Sequence, residues 1–227
     1  MKLYKKNLKM LTQHNVYESR NEHDACGVGF IVSTEGKKER KVVEYGIQAL
    51  KAVWHRGAVD ADGKTGDGAG IHIEIPEDFF VERIENAGRR HEKGKICVGM
   101  IFLPRNDYSS QEKCKTIVEN ELLNKNYYVY RWRQVPVNPQ VLGVKAESNR
   151  PEIVQVIFKS NKLNLKEDEL ERDLFVIRKK IEKQSGLLKL KDFYISSFSS
   201  RSIIYKGMFL AESLSDFYPD LMDKRFI

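Results

Sequence analysis

The sequence has little cysteine and no long apolar run, and both features narrow the class of protein. Three cysteines among 227 residues are too few and too widely spaced for a disulfide framework, a zinc site or an iron–sulfur cluster. No apolar stretch approaches the roughly 20 residues that a membrane-spanning helix needs. The sequence also has no internal repeats. We therefore expect a globular, cytoplasmic protein with no membrane partner and with one substantial core or two small ones.

The net charge of +7 at pH 7 raises the question of nucleic-acid binding. Lysine and arginine are interleaved with acidic residues along most of the chain, which is typical of solvated surfaces. The cluster that combines aromatic and basic residues, YYVYRWR at 127–133, alternates as in a strand with one solvated face. We therefore expect no nucleic-acid partner.

Two motifs that suggest ligand binding are incomplete. The GKT at 63–65 matches the end of a phosphate-binding loop, but the glycine required five residues earlier is Ala58. The HIE at 72–74 matches the start of a zinc-deaminase motif, but no paired cysteines follow it. His72 is therefore expected to be a hydrogen-bonded strand residue. The sequence predicts no nucleotide, flavin, iron–sulfur or metal cofactor.

The apolar periodicity predicts a chain in which strands and helices alternate. Strands are expected at 26–32, 71–75, 95–103, 127–135, 152–159, 192–199 and 202–206. Helices are expected at 42–54, 76–87, 110–124 and 164–186. Ser110 should cap the third helix, Asn164 should begin the fourth with Glu167 completing a capping box, and Gly186 should end it. The fold class is α+β or α/β with layered packing.

Cys26 stands apart from the other two cysteines, Cys97 and Cys114, which both read as core residues. It precedes a short glycine-spaced apolar segment in DACGVGF at 24–30. On this motif alone, a small buried residue at a strand start is one interpretation. The other is a nucleophile, because a thiolate can attack an amide carbonyl. A free α-amine, with a pKa of about 7.7–8.0, could take the thiol proton, provided that residues 1–25 are removed.

A second motif, WHRGAVDADGKTGDGAG at 54–70, is rich in glycine and aspartate and predicts a loop. Arg56, at the end of an amphipathic helix, would ordinarily be a surface or capping residue. A guanidinium beside a thiolate would instead lower the pKa of the thiol and anchor the loop. Asp67 and Gly68 would shape the same loop. Both interpretations of these residues remain open.

The two motifs together resemble the class II, N-terminal-nucleophile glutamine amidotransferases, and more narrowly the amidotransferase domain of the glutamate synthase large subunit. SSRSIIYKGM at 199–208 and FYPDL at 217–221 add to the resemblance. It implies a four-layer αββα sandwich of the N-terminal-nucleophile hydrolase type, incomplete at its C-terminus. It also implies a leader, 1–25, that is cut off between Ala25 and Cys26, followed by a partial domain, 26–227.

The chemistry implied by the resemblance is hydrolysis of glutamine to glutamate and ammonia through a thioester on Cys26. Arg56, Asp67 and Gly68 would order the pocket. The asparagine–glycine pair of the family's oxyanion hole and the acidic residue that holds the substrate's amino group are expected beyond residue 227, so the isolated chain should turn over glutamine negligibly. Two hypotheses follow. One is an amidotransferase that works with a second copy or with a complementing synthase polypeptide, and the other is a non-catalytic remnant or binding module.

Overall fold

The computed structural model describes residues 26–162 and 165–227, the positions 3, 5–7 and 10, and the backbone alone of Arg56. The predicted leader, 1–25, therefore lies almost wholly outside the described residues, and so does Asn164. Within the described part, no helix is both long enough and apolar enough to cross a bilayer.

Between residues 26 and 227 the described part contains six strands and six helices. The strands are β1 Ala69–Glu74, β2 Ile96–Leu103, β3 Tyr127–Gln134, β4 Glu152–Ser160, β5 Tyr194–Ser199 and β6 Ser202–Gly207. The helices are α1 Arg40–Ala52, α2 Glu77–Glu85, α3 Tyr108–Asn124, α4 Val144–Ser148, α5 Glu167–Leu187 and α6 Leu214–Phe217. All six of these strands and the four longer helices begin and end within about three residues of their predicted bounds.

The strands form two antiparallel sheets. One has the order β3-β4-β2-β5, and the other pairs β1 with β6. Strands β5 and β6 follow one another across a two-residue turn, yet each pairs within a different sheet. The fold is therefore a mixture of helices and antiparallel sheets, and in this coarser sense the α+β prediction is confirmed.

Helices α3 and α5 cover one face of the four-stranded sheet. Cys97 on β2 and Cys114 on α3 are both fully buried in this cluster, as the sequence predicted. The apolar stripe that α5 turns toward the sheet is also buried; it consists of Leu170, Leu174, Ile177 and Ile181. Each such side chain stabilises the fold by roughly 1.5–3 kcal/mol, so this face forms a complete core layer.

Because side chains alternate along a strand, β2 also presents residues to the opposite face, where a second apolar cluster lies. Val98 and Met100 pack there with β6, with α1 and with the segment that follows β6. That segment contributes several buried aromatic side chains: Phe209, Phe217, Tyr218 and Phe226. The C-terminal 20 residues are therefore part of the core rather than a loose tail.

The strand predicted at 26–32 is wrong. These residues adopt no regular structure, and the side chains of Val28 and Phe30 are 96% and 86% exposed. A strand requires a neighbour that exchanges backbone hydrogen bonds with it, and no described strand pairs with this segment. The sequence of this segment alternates as in a strand, but no described strand pairs with it.

Two helix ends also differ from the predictions. The cap of α3 is Asp107, whose carboxylate accepts a hydrogen bond from the backbone N–H of Ser110 at 3.0 Å. Helix α5 begins after Lys166, with Glu169 as the acidic partner in its first turn, and it continues one residue past Gly186. The Asp107 carboxylate thus caps a first-turn N–H of α3, and the Glu169 carboxylate accepts from the backbone N–H of Lys166, the residue before α5.

Candidate active site

The described residues form a cleft of about 1150 Å³. Its walls come from the segment that begins at Cys26, from the end of α1, from the loop 57–68 and from the facing ends of β1 and β6. Apolar side chains of β2 and β4, Phe102 and Ile153, also line it. The cleft therefore collects the two motifs that the sequence singled out, although they lie about 30 residues apart in the chain.

The three cysteines occupy different environments. Cys26 is exposed and lines the cleft, whereas Cys97 and Cys114 are buried in the other core cluster. Burial raises the pKa of the Cys97 thiol far above its ordinary value and raises that of Cys114 to about 11. Cys26 is thus the thiol that solvent and a small-molecule substrate can reach. The interpretation of Cys26 as a buried strand residue is wrong.

The loop 57–68 folds back on itself as a small, well-connected hairpin. Val59 and Gly66 form an antiparallel bridge, and the N–H of Asp60 donates to the carbonyl of Thr65 at 2.9 Å. At the tip, Gly63 has a φ of +69°, which favours glycine. The predicted loop is therefore an ordered structure that can hold side chains in fixed positions.

Asp62 is the side chain that organises the tip of this loop. One carboxylate oxygen accepts hydrogen bonds from the backbone N–H groups of Lys64 at 3.0 Å and Thr65 at 2.7 Å. The other oxygen accepts from the Thr65 hydroxyl at 2.6 Å. The hydrogen bond from that hydroxyl is the largest cause that holds the pKa of Asp62 well below its usual range. This role was not predicted from the sequence, although an aspartate three residues before a threonine in a glycine turn is typical of such side-chain-to-backbone bonds.

Asp67 and Gly68 lie on the limb of the loop that returns toward β1, and both line the cleft with Cys26. The N–H of Asp67 donates to the carbonyl of Ala58 at 3.2 Å, which fixes the backbone of this limb. Gly68 has a φ of +126°, a conformation that other residues rarely adopt. The structure therefore brings Cys26, Asp67 and Gly68 into one cleft.

Arg56 closes a short 3-10 turn, Trp54–Arg56, that follows α1. Its side chain lies outside the described part of the structure, so only its backbone position can be compared with the prediction. The residues on either side, Trp54 and Gly57 among them, line the cleft. The backbone of Arg56 therefore lies between two residues of the cleft wall, Trp54 and Gly57.

Lys206 on β6 is a cleft residue that sequence reasoning missed. Its ammonium group donates to the hydroxyl of Tyr194 at 2.7 Å and lies 4.3 Å from the centre of that ring. Gly70 is opposite Lys206 in the β1–β6 pair, and a Cβ at Gly70 would lie 2.7 Å from the Cβ of Lys206. The contact between Lys206 and Gly70 depends on the register of two strands that lie about 135 residues apart, so no local pattern in the sequence reveals it.

The remaining candidate groups near the cleft carry no metal-binding pattern. His72 has its Nε2 2.6 Å from the hydroxyl oxygen of Ser202 on the neighbouring strand, and the hydrogen-bonded strand residue that the sequence predicted is confirmed. Among the described residues, no group of three or more histidine, cysteine, aspartate or glutamate side chains is arranged to hold a metal ion.

Comparison with protein-family models places residues 26–227 in the family described as glutamine amidotransferases class-II. The chain is 55% identical over 223 residues to the glutamate synthase [NADPH] large chain of Azospirillum brasilense, which covers 98% of this chain and 15% of that protein. It is 40% identical over 209 residues to the ferredoxin-dependent glutamate synthase of Pyropia yezoensis, and the match covers 90% of this chain and 13% of that protein. It is 35% identical over 213 residues to the glutamate synthase [NADPH] large chain of Bacillus subtilis, covering 93% and 14%. The chain thus spans about one-seventh of the length of these relatives.

Proposed function

This chain belongs to the class II glutamine amidotransferases, and from that membership we propose that its cleft hydrolyses the side-chain amide of glutamine to glutamate and ammonia. The observation that carries the proposal is the position of Cys26. It is the exposed cysteine of the described part, and it lines the same cleft as Asp67 and Gly68. The cleft volume of about 1150 Å³ is slightly above the roughly 300–1,000 Å³ that is usual for small-molecule sites.

The nucleophile we propose is the thiolate of Cys26, activated by its own α-amine. In the full chain the nitrogen of Cys26 is bonded to Ala25 and is an amide nitrogen, which cannot accept a proton near neutral pH. Cutting the chain at that bond would create an amine with a pKa of about 7.7–8.0, close to the working pH of a general base. We therefore propose that residues 1–25 are a leader and that its removal activates the thiol of Cys26.

The reaction would then proceed in two steps. The thiol proton passes to the α-amine, and the sulfur bonds to the amide carbon. The protonated α-amine then gives this proton to the amide nitrogen, the carbon–nitrogen bond breaks, and the nitrogen leaves as ammonia. This leaves a glutamyl thioester on Cys26. A water molecule, deprotonated by the same amine, attacks the thioester, and glutamate leaves as the thiol is restored. Glutamine and water are consumed, and glutamate and ammonia are formed.

We propose that Arg56, Asp67 and Gly68 order this pocket. A guanidinium near Cys26 would stabilise the thiolate and lower its pKa. The positive φ of Gly68 sets the direction in which the loop 57–68 joins β1. The finer fold assignment, a four-layer αββα sandwich, belongs to the same proposal. Its support is that each face of the four-stranded sheet has its own apolar cluster.

The relatives are glutamate synthases, and this chain spans about one-seventh of their length. From the similarity to these relatives, we propose that it works with a complementing synthase polypeptide or with a second copy of itself. The acceptor of the ammonia would then belong to the partner. Size-exclusion chromatography with the mixed polypeptides measures the association directly.

Ammonia release from glutamine by the wild type and by Cys26→Ala tests the proposed function. The matched control is Cys114→Ala, which also removes one thiol but lies in the other core cluster. The assay is run with the chain alone and after addition of the remaining region of a glutamate synthase polypeptide. We expect release that Cys114→Ala retains and Cys26→Ala abolishes. Equal background for all three proteins in both arms would contradict the proposal and would favour a non-catalytic binding module.

A further inference from the structure

The tip of the loop 57–68 is not free in solvent, because it docks on the segment that begins α4. The ammonium group of Lys145 donates to a carboxylate oxygen of Asp60 at 2.6 Å. The N–H of Ala146 donates to the hydroxyl of Thr65 at 3.3 Å. About 80 residues separate the two sides of this contact in the chain. The contact therefore joins the cleft loop to an element that the sequence analysis treated only as a connecting segment.

Gly143 makes this docking possible because it has no side chain. A Cβ built on Gly143 would lie 2.6 Å from the Cγ of Asp62, and it would be closer still to Asp62 Oδ2 and Thr65 Oγ1. The backbone of Gly143, with φ −74° and ψ 162°, is one that any residue adopts. The need for glycine at this position is therefore steric. The two atoms that a methyl group would displace belong to the bonds that organise the loop tip.

The ion pair between Lys145 and Asp60 contributes less to this docking than the close approach at Gly143 does. Lys145 and Asp60 have side chains that are 65% and 35% exposed, and exposed ion pairs contribute little to stability. The hydrogen bond from Lys145 nevertheless holds the pKa of Asp60 below its usual range, so the pair is charged on both sides near neutral pH. Lys145 thus adds orientation to a contact whose closeness depends on Gly143.

The segment that holds the loop also forms part of the cleft wall. Leu142 and Ala146, both in this segment, line the cleft together with Gly63 at the loop tip and Asp67 on its returning limb. A shift of the tip would therefore be transmitted to the limb that faces Cys26. Catalytic geometry is sensitive to displacements of about 1 Å.

We propose that Gly143 and Lys145 are positioning residues that fix the loop 57–68 across the cleft and so set how well the cleft binds glutamine. The inference rests on the proposed function for its substrate. The contact between α4 and the loop can be tested without catalysis.

The variant that tests the inference is Gly143→Ala, and its matched control is Gly186→Ala. A Cβ at Gly186, in the last turn of α5, would meet no atom within 4 Å. The measurement is the hydrogen-exchange rate of the backbone amides of Asp60, Thr65 and Asp67, which are all hydrogen-bonded within the loop. We expect Gly143→Ala to speed their exchange by about tenfold or more, since overpacking opens a tightly docked contact. The amides of β2 and β4 should exchange as in the wild type, and Gly186→Ala should leave all of them unchanged.

The second readout is the glutamine concentration that half-protects Cys26 from alkylation. Gly143→Ala should raise it, an effect that a general loss of stability in a still-folded protein would not produce. If Gly143→Ala does not fold, Lys145→Met replaces it. We expect a two- to fivefold rise in loop exchange, of the size that exposed ion pairs give, and rescue by Lys145→Arg.

Unchanged loop exchange and unchanged half-protection in a folded Gly143→Ala protein would overturn the inference. Unchanged loop exchange in Lys145→Met would do so if only that variant folds. Glutamine that fails to protect Cys26 in the wild type, with loop exchange still raised in the variants, would refute the proposed function and the role in glutamine binding. It would leave only a structural contact. The two failures therefore give different results.

Discussion

Replacing Asp220 with asparagine removes one charge from a buried ion pair that connects the C-terminal segment to the sheets. Arg133 on β3 donates to both carboxylate oxygens of Asp220 at 2.7 Å, and a further guanidinium hydrogen bond reaches Gln155 at 2.8 Å. The hydroxyl of Tyr205 on β6 donates to the same carboxylate at 3.2 Å. The side chains of Arg133 and Asp220 are only 9% and 4% exposed. This network links the four-stranded sheet, the two-stranded sheet and the last residues of the chain.

The magnitude follows from what the substitution leaves behind. An asparagine amide presents its NH2 group to the guanidinium, so one of the paired hydrogen bonds is lost and the buried positive charge has no counter-ion. Removing one partner of a buried pair costs about 3–5 kcal/mol. Because a domain of this kind is stable by about 5–15 kcal/mol, Asp220→Asn should lower the free energy of unfolding by a large fraction. Asp216→Asn, four residues earlier and exposed, makes the same change in charge and should cost less than about 0.5 kcal/mol.

Urea unfolding followed by far-UV circular dichroism measures both variants against the wild type. The denaturant slope should stay the same while the midpoint of Asp220→Asn falls. Adding Arg133→Met to Asp220→Asn should recover part of the loss, because the unpaired charge is then gone. If Asp220→Asn and Asp216→Asn unfold at the same urea concentration, the buried pair does not hold the C-terminal segment in place, and the reasoning is refuted.

The other predictions concern the thiols, the leader and the low-pH stability. Iodoacetamide should modify Cys26 in the folded protein well before Cys97 and Cys114, since burial raises the pKa of both of those thiols; peptide mass mapping that finds equal rates would contradict this. Intact-mass analysis of the active protein should show a chain that begins at Cys26, and activity from a preparation that retains the leader in every molecule would exclude the α-amine as the base. Asp223, whose pKa is lowered to about 2 chiefly by hydrogen bonding to Arg225, should contribute stability that is fully present above its usual value near 3.8 and is lost as the pH falls through about 2. Asp223→Asn should therefore be less stable than the wild type at pH 7, and acid titration of unfolding should show the two converging below about pH 4; a constant gap down to pH 2 would be evidence against this ion pair.

The core elements could be predicted from the sequence because their signals are local. Strand β2 reads as an unbroken apolar run since both of its faces are buried, and α5 shows one apolar stripe. The cap of α3 was displaced by three residues because Asp107 and Ser110 are both good caps, and the choice between them depends on the backbone. Helix α4 was missed because five residues are too short to show a helical period.

The candidate site could be predicted only in its local parts. Cys26 and the loop 57–68 were found from motifs, and Cys26, Asp67 and Gly68 do line one cleft. Their catalytic roles remain predictions. The contacts of Gly143 with Asp62 and of Lys206 with Gly70 could not be predicted, since each joins residues that lie about 80 to 135 positions apart. The sequence shows which residues are able to make such contacts. Which contacts form is decided by how distant elements pack together.

In the segment that follows Cys26, a local sequence pattern predicts a strand that does not form. Val28, Phe30 and Val32 alternate as in a strand, and all three are exposed in the structure. Alternation records that one face of a segment can be buried, but a strand forms only where a neighbouring strand offers its backbone groups. Strands β1 and β6 pair with each other and have no further partner among the described residues, so the two-stranded sheet has edges at which such pairing could occur. Cys26, the proposed nucleophile, therefore lies at the start of the segment whose local pattern and observed conformation disagree, and local propensity is most often overridden at functional sites.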